Sequence, residues 1–180
     1  MKRAHAMPFG AEYRGAETRF RLWAPGCPRV RLELGRDQPR VLEMRPQKDG
    51  WHELVVADVL PGDAYAFRVK DDMPAVPDPA SRSNPWDVNG PSAVVHPHAY
   101  DWRDGDWRGR PWREAVVYEL HVGTFTPEGT FLAAIDKLDH LAALGITCIE
   151  LLPLADFAGA RNWGYDGVLP FAPDLSLIHI

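Results

Sequence analysis

Six prolines between residues 74 and 97 (Pro74, Pro77, Pro79, Pro85, Pro91 and Pro97) divide this chain more firmly than any other feature. Proline removes a ladder donor and restrains the residue before it, so regular structure is not expected to run through this stretch. An ordered, extended connection is expected instead, with one last strand near residues 93–95. The 180 residues are also too few for a sandwich before the connection and a complete (β/α)₈ barrel after it. Such a barrel needs about 250 residues by itself.

Before the prolines, apolar and polar residues alternate with the period of a strand. Phe20 and Leu22 share one face, while Arg19, Arg21 and Trp23 share the other. Val30, Leu32 and Leu34 repeat the pattern, as do Tyr65, Phe67 and Val69. Residues 41–45 and 51–57 flank Asp49-Gly50, a hairpin signal. About five short strands at roughly ten-residue spacing predict an antiparallel β-sandwich. With the proline-rich connector it is assigned residues 7–98.

Beyond the connector the pattern changes. Trp102, Trp107 and Trp112 are interleaved with Asp101, Asp104 and Asp106. Two readings stay open, a sugar-binding strip or a plug between two domains. Residues 115–122 then form an apolar run expected of a strand buried on both faces. Thr130 stands at an N-cap position, and Phe131, Ile135, Leu138, Leu141 and Ala142 recur at helical spacing. Gly145 is a natural C′ residue, and residues 146–152 predict a second buried strand. Strand, helix and strand in this order predict a βαβ unit with parallel strands. This second region is assigned residues 99–174.

Composition narrows the function. Twenty basic against 25 acidic residues leave a formal net charge of −5. That balance gives no reason to expect nucleic acid or an anionic membrane as partner, since both call for concentrated Lys and Arg. A hydrophobic share of 46% excludes a disordered chain. Seventeen prolines and seven tryptophans suit a sugar-handling protein. Cys27 and Cys148 are too few for a disulfide framework and predict two buried, reduced thiols. The basic start is followed by no apolar leader segment and no membrane-length run, so a cytoplasmic location is expected. Met7 is a second candidate start.

Dinucleotide, phosphate-loop, zinc-protease and serine-hydrolase motifs are all missing from the sequence. His96 and His98 lack a nearby third ligand and read as surface loop; no metal and no cofactor is implied. The distinctive segments are Val117-Tyr118-Glu119-Leu120-His121-Val122-Gly123-Thr124-Phe125 with its continuation to Phe131, then Gly145-Ile146-Thr147-Cys148-Ile149-Glu150-Leu151-Leu152-Pro153, and Asn162-Trp163-Gly164-Tyr165-Asp166-Gly167 with its continuation to Asp174. Together with Phe20-Arg21-Leu22-Trp23-Ala24-Pro25 and Pro77-Asp78-Pro79-Ala80, they resemble the α-amylase superfamily, glycoside hydrolase family 13. Within it the likeness is to members that hydrolyse maltooligosyl-trehalose.

The resemblance implies an immunoglobulin-like N-terminal β-sandwich followed by the first β-α-β of a truncated (β/α)₈ barrel. It implies cleavage of an α-1,4-glucosidic bond in maltooligosyl-trehalose or a related α-glucan, with release of trehalose. Retaining glycosidases use two carboxyl groups. In this family the catalytic ones lie on strands four, five and seven, so none is expected among these residues and the chain alone is expected to be inactive. Glu119 and Glu150, on adjacent strands, are read as structural, in ion pairs or hydrogen bonds. Tyr165 matches the position of a sugar-stacking platform, with Asn162, Trp163 and Asp166 shaping its loop. The alternative for these residues is a loop packed under the barrel rim. His121 either faces the cleft or is a satisfied buried histidine. Residues 175–180 depart from the family and are expected to be a tail that is not native sequence, a real C-terminal strand being the alternative. With only two strands and a helix present, a strand edge and an apolar helix face are expected to stay uncovered. Two rival readings remain. One is a debranching or branching enzyme of the same family. The other is a non-catalytic glucan-binding sandwich using Trp23, Trp51 and Trp86.

Overall fold

The computed structural model describes residues 8–178. The Met7 start and His179 of the tail lie outside the described residues. Eight strands precede the second region. They are β1 (Gly10–Tyr13), β2 (Glu17–Trp23), β3 (Arg31–Leu34), β4 (Arg40–Glu43), β5 (Arg45–Pro46), β6 (Trp51–Ala57), β7 (Ala64–Arg68) and β8 (Ser92–Ala93). They form two four-stranded sheets, ordered β1-β2-β6-β5 and β4-β3-β7-β8. Every ladder in them is antiparallel.

The expected alternation is present in β2, where Thr18, Phe20 and Leu22 are buried and the residues between them are not. These side chains meet those of the other sheet. Phe20 lies 5.0 Å from Tyr65, and Tyr65 lies 5.9 Å from Phe67 in an edge-on contact. Val30, Leu32, Met44, Val56, Val59 and Val94 complete this core. Thr18 is fully buried because its hydroxyl donates to the Val59 carbonyl at 2.8 Å.

One expectation needs correction. Residues 41–45 do not form one arm of a hairpin with 51–57. The chain changes sheets at buried Met44, whose N–H bonds the Val30 carbonyl at 3.0 Å. Thus β4 pairs with β3, and only β5 folds back on β6 around Asp49-Gly50. The predicted last strand is the short β8, paired to β7 at Ala64↔Ala93.

The connector is tied into the core by a buried carboxylate. Asp78 accepts the Tyr65 hydroxyl at 2.8 Å and the Ala80 N–H at 2.8 Å, while its own N–H donates to Ser92 Oγ at 3.0 Å. Loss of hydration on burial pushes its carboxyl up to about 6.

The second region carries β9 (Val117–Leu120), α1 (Val122–Phe125), α2 (Phe131–Ile135), α3 (Leu138–Ala143), β10 (Cys148–Leu151), β11 (Ala155–Asp156), β12 (Leu169–Pro173) and α4 (Leu175–Ile178). As predicted, β9 and β10 are parallel, with Glu119 opposite Glu150. Thr130 caps α2 by accepting the Ala133 N–H at 3.3 Å. Gly145, at φ 88°, closes α3 with Gly145 N–H to Ala142 and Ile146 N–H to Leu141.

The single expected helix is broken at Asp136-Lys137 into α2 and α3. The strands are not buried on both faces either. Val117, Tyr118 and Leu151 are exposed, as are Ile135 and Leu138, because no further element among the described residues covers them. Leu120 and Val122 are buried with Leu177 of α4. Trp102, Trp107 and Trp112 are 69–82% exposed and plug no joint among the described residues. Cys148 is likewise exposed, and Cys27 is half-buried. The two regions meet where Asn84 Nδ2 donates to Asp156 Oδ2 at 3.0 Å and Phe9 lies 6.1 Å from Phe171. No helix among the described residues is long and apolar enough to cross a membrane.

Two predictions follow from this core. Phe67 is wholly buried between the sheets, so Phe67→Ala should cost about 3–5 kcal/mol by urea unfolding. The Asp78 carboxyl sits at 3.8 when unconstrained and about 6 in the fold, so the folded state holds its proton more tightly. The stability it contributes is full below about pH 4 and falls by on the order of 3 kcal/mol as pH rises through about 6. Urea midpoints of Asp78→Asn should therefore gain on the parent protein as pH increases over that window. A pH-independent difference would rule this out.

Candidate functional site

Ligands of parallel α/β sheets bind beyond the carboxyl ends of the strands, where loops diverge. An open cleft that carries sequence-predicted site residues lies there. His121 directly follows β9, and Leu152 directly follows β10. Both line an open cleft of about 790 Å³ with Glu128, Arg161, Trp163 and Tyr165. Its opposite wall comes from residues 157–168, the loop between β11 and β12.

Asn162 organises that loop. Its Oδ1 accepts the Gly164 N–H at 2.5 Å and the Tyr165 N–H at 3.1 Å, with the Asp166 N–H at 3.5 Å. Its Nδ2 donates to Asp166 Oδ2 at 2.9 Å. Asparagine suits this position because one short side chain offers an acceptor and donors to its own following backbone. Gly164 adopts φ 104° and lies so close to Pro153 that a Cβ would come 2.6 Å from the Pro153 carbonyl oxygen. Only glycine meets both demands. The turn leaves the rings of Tyr165 and Trp163 72% and 83% exposed.

The His121 ring reaches the same loop, with Nε2 2.9 Å from the Asn162 carbonyl oxygen. A carbonyl has no proton to give, so Nε2 is the donor. The opposite nitrogen, Nδ1, is buried without a hydrogen-bond partner among the described residues. At Gly123 a Cβ would lie 3.0 Å from His121 Cε1, so the imidazole occupies space that any side chain would take.

The structure therefore gathers His121, Asn162, Trp163 and Tyr165 on one cleft and holds Asp166 behind them through Asn162. Among the described residues nothing packs over the two rings of the Tyr165 loop. Glu119 and Glu150 are exposed neighbours, and neither makes a side-chain hydrogen bond or ion pair among the described residues. Among the described residues no facing side chain supplies the partner expected of them.

Sequence reasoning missed Arg161 and Thr124 on the cleft, and the Asn84–Asp156 bond behind it. Burial, followed by the neighbouring Asp174, raises the Asp156 carboxyl above its ordinary value. No local pattern announces a contact across this separation. Trp23, Trp51 and Trp86 lie elsewhere. The Trp23 indole N–H donates to the Asp49 carbonyl at 2.9 Å, and Arg21 and Arg36 cover Trp51 and Trp86 at 4.4 and 5.2 Å. Among the described residues no cluster of three or more His, Cys, Asp or Glu could hold a metal.

Comparison with known proteins agrees with this architecture. Malto-oligosyltrehalose trehalohydrolases from Deinococcus radiodurans and Rhizobium sp. are 44% and 43% identical over 159 and 157 residues, 88% and 86% of this chain. The chain spans about a quarter of their length, 26% of each. A glycogen debranching enzyme from Pectobacterium atrosepticum is 33% identical over 94% of this chain and 34% of its own length. The crystal structure of a putative alpha amylase from Salmonella typhimurium superposes with a TM-score of 0.89 at 52% identity, over 97% of this chain and 29% of that one. The sequence pattern of carbohydrate-binding module 48, the isoamylase N-terminal domain, matches residues 8–102, the two-sheet sandwich with its connector, and the chain belongs to that family.

Proposed function

We propose that this chain corresponds to the N-terminal part of a family 13 glycoside hydrolase that cleaves an α-1,4-glucosidic bond of maltooligosyl-trehalose, or a related α-glucan, and releases trehalose. In this reading residues 7–98 are the sandwich with its connector, and residues 99–174 begin a catalytic (β/α)₈ barrel. The parallel pair β9–β10 supports that reading, with helices between the strands and a cleft at their carboxyl ends. Residues 175–180 are a tail outside the family pattern, and the enzyme works in the cytoplasm on soluble glucan.

Tyr165 carries the proposal. An exposed ring on an ordered turn, at the mouth of a cleft, suits the apolar face of a glucosyl unit. Trp163 offers a second such face, and Asn162, Asp166 and His121 complete the site around these two rings. None of these residues is a proton donor and nucleophile pair of the kind a retaining glycosidase needs. Catalytic carboxylates are assigned to later strands, and the 180 residues alone are inactive. The identity to trehalohydrolases, 43–44% against 33% for the debranching enzyme, favours trehalose release over debranching.

The test uses the full-length Deinococcus radiodurans relative. Replacing its counterpart of Tyr165 by alanine should lower turnover on maltooligosyl-trehalose at least about tenfold, the loss of ~1.4 kcal/mol of transition-state stabilisation. Unchanged kinetics would sink the assignment.

A further inference from the structure

We propose that His121 is a positioning residue for the Tyr165 platform, acting through Asn162 and making no sugar contact of its own. This rests on the reading of Tyr165 as the sugar-facing ring.

The hydrogen-bond inventory of the two side chains carries the argument. His121 has two ring nitrogens. Nε2 donates to the Asn162 carbonyl at 2.9 Å and is occupied. Nδ1 is buried, faces Gly123, and would lie 3.3 Å from a Cβ placed there. Neither nitrogen is presented to a ligand in the cleft. Asn162 is turned to its own loop, its Oδ1 accepting the Gly164 and Tyr165 N–H groups and one N–H of its Nδ2 donating to Asp166. The rings of Tyr165 and Trp163 stay exposed on the cleft, which Glu128 and Arg161 also line.

A single line of contacts thus runs from the end of β9 through His121 and Asn162 to the backbone of Tyr165. Gly123 leaves room for the imidazole that starts it. The physical benefit is entropic. Residues 157–168 contain no helix or strand, and an unrestrained loop would have to be ordered when sugar binds. Anchoring Asn162 from the strand side removes that cost in advance. Such a role predicts that the imidazole matters only as a donor at the Nε2 position and only while Tyr165 is present.

Both points are testable in the 180-residue chain with maltohexaose as the probe, by titration calorimetry, and without sugar by amide hydrogen exchange at Gly164, Tyr165 and Asp166. His121→Ala should speed exchange at these amides and weaken binding about fivefold. His121→Gln, whose side-chain amide can donate from nearly the same place, should keep both within about twofold. Combining His121→Ala with Tyr165→Ala should weaken binding no further than Tyr165→Ala alone, since the two act as one unit. Asn162→Ala, on the exposed loop and outside the core, should reproduce the fast exchange even if His121→Ala fails to fold.

Several results overturn the proposal. Unchanged exchange in His121→Ala is one, and additive losses in the double variant are another. A third is His121→Gln binding as poorly as His121→Ala with its loop still protected, because the imidazole would then be meeting the sugar itself. If Tyr165→Ala leaves maltohexaose binding unchanged, or the chain binds none, the platform reading fails instead. The exchange measurements then decide the positioning role by themselves.

Discussion

A buried carboxylate joins the pieces of this chain. Asp78 lies in the proline-rich connector, yet its side chain is inside the sandwich, accepting the Tyr65 hydroxyl and the Ala80 N–H. Prolines supply few backbone donors, so a connector rich in them cannot be stitched down by a ladder. Side-chain hydrogen bonds take over, and a carboxylate, with room for several donors, is the efficient acceptor. Its desolvation is the cost of that arrangement, visible as a carboxyl pushed up to about 6. Farther along the same connector Asn84 reaches Asp156 at the start of the cleft loop. The connector is therefore the element through which the sandwich is joined to the cleft region.

The cleft repeats the device at smaller scale. One asparagine side chain satisfies the turn that carries Tyr165, and one histidine ties that asparagine to the strand end. In both places a polar side chain with several hydrogen-bond partners does what regular secondary structure does elsewhere. The difference lies in exposure. Asp78 holds a core, whereas Asn162 holds two aromatic rings out toward solvent. Exposed, ordered aromatics above parallel strand ends form a surface suited to a flat apolar ligand face.

How far these features were legible in the residues differs from one to the next. Strand alternation in β2, the Thr130 cap, the Gly145 terminus and the parallel β9–β10 pair follow from local pattern, and the structure contains each, whereas in β7 Ala66 is buried along with Tyr65 and Phe67. The sheet change at Met44 was not legible, because an alternating run looks the same whichever sheet its neighbours join. The exposure of the tryptophans at 102, 107 and 112 was not legible either, since the residues left both a sugar-binding strip and an interdomain plug open. Aromatic residues read as apolar in a sequence, and their burial depends on what stands opposite. For the site, the motif containing Asn162, Trp163, Gly164 and Tyr165 singled out a loop that lines the cleft. It did not reveal that Asn162 bonds its own turn, nor that His121 reaches it.

The sequence by itself determined the antiparallel strands before the prolines, the parallel pair after them and the loop that bears the exposed rings. These rest on periodicity, caps and turn residues, all acting over a few positions along the chain. Only the tertiary structure decided which sheet each strand joins, that Asp78 enters the core, and that His121 and Asn162 share a hydrogen bond. Those outcomes depend on close approach between residues far apart in the chain, where a hydrogen bond forms or fails within a few tenths of an ångström. No local pattern of residue types encodes such a distance.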